Sequence, residues 1–203
     1  MRLDHIVVAG ATRAEATLAV EEALGVVLQT GGSHVDFGTH NALLGLADGL
    51  YLEAIAIDPA AVPPERARWF DLDRFNGRAR LTNWVCASDD MESELAALGA
   101  DAGVPMDLTR GDLAWRMAVP ETGVLPFDNL HPALITWQSP VHPSDMLAVS
   151  GCALRRLVVC HPEAPVLAAR LEPHLHDPRV VYEMGPLLLR AEIDTPHGLR
   201  VLL

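Results

Sequence analysis

The segment LDHIVVA at Leu3–Ala9 decides the fold, because it is the first of three similar segments in the chain. It is short, rich in β-branched residues and bounded by Gly10, a pattern that is typical of a buried strand. The pattern returns without gaps as LTNWVC from Leu81 and as LRRLVV from Leu154. Three similar strands that start at residues 3, 81 and 154 predict an internal repeat. An internal repeat of a whole strand–helix unit sets the architecture of the chain.

Each predicted strand is followed by the same order of elements. After the first, Thr12 and Glu15 form a capping box for a helix over Ala14–Leu24. Gly25 is a suitable end for that helix. Three strand-like runs follow between Gly or Asp-Gly turn signals: His34–Phe37, Asn41–Leu46 and Tyr51–Ile57. The first copy is therefore predicted to be a βαβββ module.

The second and third copies repeat this order. In the second, Asp89 and Glu92 form another capping box, and the helix runs to Leu98 before strands at 105–109, 113–119 and 133–137. In the third, Pro165 suits the first turn of a helix to about Leu171, before strands at 180–183, 187–193 and 199–203. Proline-containing polar segments at 58–80 and 139–151 separate the copies, as connectors between modules usually do.

The repeat predicts the domain organisation. We expect an α+β fold whose first domain, residues 1–138, consists of two βαβββ modules at 1–57 and 80–138. A third βαβββ-like module is expected at 150–203. The first module can pair with the second or with the third, and both pairings stay open. The remaining module would then pack outside or across a homodimer, the commonest oligomer.

The composition excludes several classes of function. The formal net charge is −12, so DNA, RNA and anionic membrane surfaces are poor partners. No window approaches the roughly 18 consecutive apolar residues of a membrane span, and the charged Arg2 and Asp4 argue against a signal peptide. The three cysteines form no CxxC pair, which favours a cytoplasmic protein. The P-loop, HExxH and nucleophile-elbow motifs are absent from the sequence.

Two ionisable residues lie inside predicted apolar strands. His5 is in the middle of the first strand and Glu53 in the middle of the fourth. Burying such groups is costly unless they are paired or coordinate something. If the two strands are neighbours, an imidazole and a carboxylate share one concavity, a normal half-site for Zn²⁺, Fe²⁺, Mn²⁺ or Ni²⁺. The alternatives are a buried His–Glu hydrogen bond and a glutamate that faces solvent at a sheet edge.

Three segments carry a family resemblance: Leu3–Val8 (LDHIVV), Gly32–Asn41 (GSHVDFGTHN) and Tyr51–Ile57 (YLEAIAI). Together they resemble the glyoxalase-like branch of the vicinal-oxygen-chelate superfamily, which also holds bleomycin resistance proteins and extradiol dioxygenases. The resemblance implies paired modules that curl into a cup of mixed sheets with helices packed outside. It also implies a divalent metal ion (Zn, Ni, Mn or Fe) that binds neighbouring oxygens of a substrate. On this chain His5 and Glu53 match the metal ligands, with Glu53 also the catalytic residue.

A complete site of this type needs a further ligand. His34 is the leading candidate, because it occupies the histidine of the H-x-x-x-G-T-x-N segment that the family shares. His40 and His131 are further candidates. A histidine beside a turn is often simply exposed, and His131 precedes a proline at the entry to a strand, where a structural role is more common.

The second and third modules lack matching ligands. The position of His5 is held by Asn83 in the second module and by Arg156 in the third. We expect both residues to bind substrate instead, and Arg156 would bind a carboxylate or phosphate. The alternative for Arg156 is an ion pair with a sheet neighbour such as Glu183 or Glu192.

The resemblance and the two ionisable residues predict a metal-dependent enzyme. Its substrate would be a small oxygenated metabolite, and its reaction that of a lyase, an isomerase or a dioxygenase. The first alternative is a metal-free protein that binds a small molecule in the same cup. The second is a structural protein whose cup is filled by side chains.

Overall fold

The computed structural model describes residues 1–203 in full, apart from the side chain of Ala100. The strands of the first two modules are β1 (Arg2–Ala9), β2 (Gln29–His34), β3 (Thr39–Gly45), β4 (Tyr51–Ile57), β5 (Arg80–Ala87), β6 (Val104–Arg110), β7 (Leu113–Val119) and β8 (Ala133–Trp137). Those of the third segment are β9 (Ala153–His161), β10 (Val180–Met184), β11 (Leu188–Thr195) and β12 (Gly198–Leu202). The helical segments are α1 (Arg13–Leu24), α2 (Met91–Leu98), α3 (Pro126–Asn129), α4 (Pro143–Met146) and α5 (Ala164–Leu171).

The first two modules form one eight-stranded sheet, in the order β2-β3-β4-β1-β5-β8-β7-β6. In each module the first strand pairs in parallel with the fourth, and β1 and β5 pair antiparallel at the centre. The sheet curls until its edge strands β2 and β6 touch, which makes the predicted cup. The predicted fold class is confirmed, and of the two module pairings that the sequence allowed, the first module pairs with the second.

The third segment forms its own four-stranded sheet, in the order β10-β9-β11-β12. Its order of elements is the predicted one, but its strand pairing is different. Its first strand, β9, lies between β10 and β11, whereas the first strands of the other modules pair with the fourth. The third segment is therefore not a structural copy of the first two modules, and its residues do not join the cup.

Two local predictions were wrong. Residues Val35–Phe37 form a 3₁₀ turn that ends at Gly38, which has a left-handed φ of 56°, and the strand lies before them. Helix α2 is capped by Asp90, whose side chain accepts a hydrogen bond from the amide of Ser93, so the N-cap lies one residue after the predicted Asp89 and the predicted capping box with Glu92 does not form. Both errors concern the ends of elements, where a short polar side chain selects the local turn.

Both faces of the eight-stranded sheet are buried, each in its own apolar cluster. On β1, Ile6 and Val8 pack with α1, α2 and the second sheet, while Val7 and Ala9 face the cup. The helices and the second sheet thus cover the face opposite the cup. None of the helices in the described residues combines the length and the apolar character needed to cross a membrane.

The segment between the modules closes the cup. A 3₁₀ segment at Trp69–Arg74 places Trp69, Phe70 and Leu72 in the apolar core on the cup side. The ring of Trp69 stacks on Phe37 with centroids 4.0 Å apart. A segment that its composition predicts to be a connector therefore supplies core residues, and it narrows the space above the strands.

Candidate functional site

A bulge in β1 brings two ionisable side chains to the cup. The pairing of β1 with β5 shifts register between Leu3 and His5. Such a shift lets successive residues point to the same side, which ordinary strand alternation forbids. Asp4 and His5 are accordingly both buried, each with 4% of its surface exposed. The ring of His5 stacks on Tyr51, its register partner on β4, at 4.3 Å.

The Asp4 carboxylate fixes the orientation of His5. Its Oδ1 accepts a hydrogen bond from His5 Nδ1 at 2.6 Å, and its Oδ2 accepts from Trp137 Nε1 at 3.0 Å and from His142 Nε2 at 3.1 Å. Burial by itself raises the pKa of Asp4, but the hydrogen bonds from His142 and His5 outweigh it and hold the pKa well below its usual range. Because Nδ1 donates to the ionised Asp4, Nε2 is the nitrogen that carries the lone pair when the ring of His5 is neutral.

Glu53 faces that lone pair from the neighbouring strand β4. Its Oε2 lies 3.9 Å from His5 Nε2, too far for a hydrogen bond. Its Oε1 accepts a hydrogen bond from Asn41 Nδ2 at 2.6 Å. Burial, together with the charges of Asp4 and Glu53, raises the pKa of Tyr51 well above its usual value, so its phenol stays protonated. The site thus holds two buried acceptor atoms with space between them.

His34 completes the predicted group, but an arginine holds its free nitrogen. His34 Nε2 lies 3.9 Å from Glu53 Oε1 and accepts a hydrogen bond from Arg110 Nη1 at 3.1 Å. Its Nδ1 contacts Thr39 Oγ1 at 3.0 Å, which fits a proton on Nδ1, since a guanidinium can only donate. Burial lowers the pKa of His34 to about 4; the charge of Glu53 opposes this shift and that of Arg110 adds to it. His34 is therefore neutral at pH 7.

Two glycines on β2 make room for this arrangement. The amide of Gly32 donates to Asn41 Oδ1 at 2.8 Å, and a Cβ at Gly32 would lie 2.8 Å from Cδ of Arg110. A Cβ at Gly31 would collide with Asn41 Oδ1. The curling of the sheet brings Arg110, at the end of β6, across β2 to the mouth of the cup. The Gly-Gly pair allows this close approach.

The side chains enclose a small cavity of ≈ 30 Å³. Such a volume holds about two water molecules. Its walls are mainly aromatic and apolar, and its polar atoms come from one side: His5, His34, Asn41, Glu53 and Arg110. A cavity with apolar walls and a few convergent polar groups is the usual form of a small-molecule site. A ligand larger than water enters only if side chains at the mouth move.

The predicted three-ligand metal site does not form in this arrangement. His5 and Glu53 fit a divalent ion, and Asp4 orients His5 as an outer carboxylate does in many metal sites. The third donor, His34, is instead hydrogen-bonded to a guanidinium, whose positive charge disfavours a second cation beside it. Within the described residues, no group of three or more His, Cys, Asp or Glu side chains is arranged to hold a metal ion.

The remaining candidates lie away from the cavity. Asn83 is buried on β5 and exchanges hydrogen bonds with Asn129 at 3.2 and 3.4 Å. His131 is buried and contacts the carbonyl of Pro132 at 2.8 Å. His40 faces Asp58 at 3.8 Å. These residues hold local structure, and a substrate-binding role for Asn83 has no contact in the cup to support it.

Arg156, for which sequence analysis left substrate binding and an ion pair open, lies outside the cup. Arg156 lies on β9 of the second sheet, where it pairs with Glu183 at 2.9 Å and approaches Glu192 at 3.9 Å. This is the ion-pair alternative that the sequence left open. The physical reason is the different strand pairing of the third segment, which keeps β9 out of the eight-stranded sheet.

Sequence reasoning missed three residues of the site: Asp4, Arg110 and His142. The sequence could have pointed to Asp4, because it is a second ionisable residue in an apolar strand, next to His5, and such a residue needs a partner when it is buried. Arg110 sits at an Arg-Gly turn and His142 in a polar connector, which are ordinary places for such residues. Only the curling of the sheet brings them to the cup.

Comparisons with known proteins agree with this fold. The sequence model of a family described as glyoxalase-like domain matches residues 3–175. The comparison with curated proteins gives no match. The crystal structure of a hypothetical protein from Staphylococcus aureus is similar with a TM-score of 0.64 and 13% identity, over 92% of this chain and 87% of that one. Methylmalonyl-CoA epimerase from Streptomyces coelicolor, in complex with 2-nitronate-propionyl-CoA, has a TM-score of 0.41 and 14% identity, over 70% of this chain and 99% of that one.

Proposed function

Because this chain belongs to the glyoxalase-like domain family, we propose that it is an enzyme that transfers protons on a small oxygenated metabolite bound in the cup. The observation that carries the proposal is the pair of buried acceptors, His5 Nε2 and Glu53 Oε2, which face each other at 3.9 Å. Proton abstraction next to a carbonyl is the step that isomerases and many lyases share. This reaction class needs a base, a second proton carrier and an apolar site, and Glu53, His5 and the apolar walls of the cup would supply them.

Glu53 is the general base of the proposed reaction. Its carboxylate takes a proton from the carbon next to the substrate carbonyl, and the C–H electron pair passes into an enolate. The proton returns from Glu53, or through His5, to another carbon or to an oxygen of the substrate. When His5 accepts the proton, the ionised Asp4 stabilises the resulting imidazolium, as carboxylates do in other His–Asp pairs.

Exchange of substrate protons tests this proposal without knowledge of the product. A panel of small 2-oxo acids, 2-hydroxy acids, hydroxyketones and aldehydes is incubated with the enzyme in D₂O, and loss of the α-proton signals is followed by NMR. The wild-type protein is expected to accelerate exchange of at least one class, and Glu53→Gln to lose about 100-fold or more of that rate. The matched control is Glu183→Gln, which removes a carboxylate from the second sheet. Equal exchange by wild type and Glu53→Gln would overturn the assignment of the base.

A metal-free binding protein is the second candidate. The hydrogen bond of Arg110 to His34, which occupies the third predicted metal ligand, favours it. Calorimetry on the same panel separates the two functions, because a binding protein takes up its ligand without α-proton exchange.

Other features of the expected function stay predictions. A metal-dependent form would use Zn, Ni, Mn or Fe on His5 and Glu53. The cytoplasmic location is a prediction from the cysteine pattern of the sequence. A homodimer and the exclusion of nucleic acids are likewise predictions, the latter from the net charge of −12.

A further inference from the structure

We infer that Arg110, by holding His34, blocks the third ligand of the metal site that sequence analysis predicted, and that the cup instead selects small carboxylate anions with a neighbouring oxygen. This inference rests on the proposed function, because it assigns the substrate class of the same site. It starts from the hydrogen bond of Arg110 to His34, the residue that sequence analysis predicted as the third metal ligand.

The guanidinium has unused binding capacity. An arginine carries five N–H donors in a planar fork. The described residues accept only from Nη1 of Arg110, through His34 Nε2 at 3.1 Å and Asn41 Oδ1 at 3.4 Å. Both acceptors are neutral, and no carboxylate of the described residues lies within ion-pair distance of Arg110. Its charge therefore has no direct counterion.

The charge is aimed at the cavity. Arg110 is the only arginine or lysine side chain among the residues that line it. Because a guanidinium stays protonated throughout the pH range of a folded protein, Arg110 is the fixed positive charge at this end. Because Gly32 has no side chain, the arginine stem can cross β2 and reach the mouth. A carboxylate is the ligand that the planar fork binds best, by two parallel hydrogen bonds.

The cation and the base lie at opposite ends of one polar row. Asn41 accepts from Arg110 through Oδ1 and donates to Glu53 through Nδ2 at 2.6 Å. A substrate whose carboxylate binds Arg110 would thus direct the carbon beyond its neighbouring carbonyl, which carries the proton, toward Glu53 and His5. As negative charge develops on the enolate, the guanidinium would stabilise it without a metal ion.

Binding of a charged and an uncharged analogue tests the substrate class. Pyruvate and hydroxyacetone share a three-carbon skeleton and neighbouring oxygens, but only pyruvate carries a carboxylate. In calorimetric titrations of wild type after chelator treatment, pyruvate is expected to bind at least 10-fold more tightly than hydroxyacetone. Arg110→Gln should remove that preference and Arg110→Lys should keep part of it. The matched control, Arg116→Gln, changes the outward-facing arginine of the same hairpin, which pairs with Glu92 and Asp107.

Metal affinity provides an independent readout. Removing the guanidinium frees His34 Nε2, so Arg110→Ala is expected to bind Ni²⁺ at least 10-fold more tightly than wild type. Addition of His34→Ala to this variant should abolish the gain. Stoichiometric metal in the untreated wild type, with pyruvate binding lost on chelation, would overturn the inference. Equal affinity for pyruvate and hydroxyacetone, or no binding of pyruvate, would overturn it as well.

Failure of this inference is distinct from failure of the proposed function. If Arg110 does not select carboxylates, exchange that depends on Glu53 is still measurable on the uncharged hydroxyketones and aldehydes of the panel. If Glu53 is not the base, the effect of Arg110→Gln on pyruvate binding is still measurable.

Discussion

The Nε2 atom of His5 faces the Oε2 atom of Glu53 at 3.9 Å, and neither atom has a hydrogen-bond partner among the described residues. Two buried acceptors in this position repel each other unless a proton, a ligand hydroxyl or a cation lies between them. The other polar atom of each side chain does have a partner. His5 Nδ1 is hydrogen-bonded to Asp4, and Glu53 Oε1 accepts a hydrogen bond from Asn41. The predictions below follow from this pair and its surroundings.

Substitutions at Glu53 should separate charge from hydrogen bonding. Glu53→Gln keeps an acceptor for Asn41 Nδ2, so the free energy of unfolding is expected to change by less than about 1 kcal/mol. Glu53→Leu leaves the buried amide of Asn41 unpaired and should cost about 1–3 kcal/mol. Urea unfolding monitored by circular dichroism measures both. Equal costs for the two variants would show that the Asn41 hydrogen bond contributes nothing.

Asp4→Asn should impair catalysis and alter the acid stability of the fold. Without the carboxylate, His5 loses its fixed tautomer, and α-proton exchange is expected to fall about 100-fold or more. The pKa of Asp4 is lower in the folded state, so its stabilising effect is complete above its unfolded value of 3.8 and is lost as the pH falls below that value. The difference in unfolding free energy between wild type and Asp4→Asn should therefore shrink from pH 6 to pH 3. A difference that stays constant would contradict the ionised Asp4.

The two glycines of β2 should respond differently to alanine. Gly31→Ala drives a Cβ into the Asn41 side chain, which holds Glu53, and should destabilise the protein by about 1–3 kcal/mol. Gly32→Ala meets only the flexible stem of Arg110, so its cost in stability should be smaller. Its main effect should be on the affinity for pyruvate, measured by calorimetry. The reverse pattern would show that Gly32 serves the fold and not the placement of Arg110.

His131 should make the protein less stable in mild acid. Burial lowers its pKa from 6.5 to about 4, so the folded state binds this proton less readily than the unfolded chain. The stability it contributes is complete above pH 6.5 and is lost as the pH falls toward about 4; at pH 5 the loss is about 2 kcal/mol. His131→Gln should flatten the pH dependence of the unfolding free energy between pH 7 and pH 5. An unchanged slope would mean that the pKa of His131 is the same in the folded and unfolded states.

Trp69→Ala should destabilise the closed cup. Trp69 is buried, stacks on Phe37 and meets the edge of His34 at 5.0 Å. Its loss is expected to cost about 3–5 kcal/mol. It should also speed the entry of pyruvate, which stopped-flow fluorescence of Trp115 and Trp137 can follow. Slower entry would indicate that Trp69 guides the ligand and does not block it.

The sequence predicted the features that depend on local residue patterns, such as strand alternation and helix caps. Sequence analysis expected His5 and Glu53 to share one concavity if their two strands are neighbours. The strands β1 and β4 are neighbours, and both side chains line the same cavity. Capping residues and glycine stops also located α1, although at α2 the cap was displaced to Asp90.

What the sequence could not predict depends on long-range geometry. Arg110 reaches the site only because β2 and β6 meet, and Asp4 only because a bulge breaks the alternation of β1. The repeat matched Arg156 to the position of His5 but left open whether the third module joins the cup, and the strand pairing of the third segment keeps Arg156 in the second sheet. Similar strands in similar order do not fix which strands pair.

A crystal structure with oxalate tests the central claim most directly, since oxalate is a stable planar anion with neighbouring oxygens and chelates metal ions strongly. Protein purified without added metal or chelator is soaked, and anomalous scattering is measured to detect metal. The account predicts oxalate in the cup, one carboxylate on the guanidinium of Arg110 and the other facing Glu53 and His5, with no anomalous peak. A metal ion held by His5, His34 and Glu53 and chelated by oxalate, with Arg110 displaced, would contradict it.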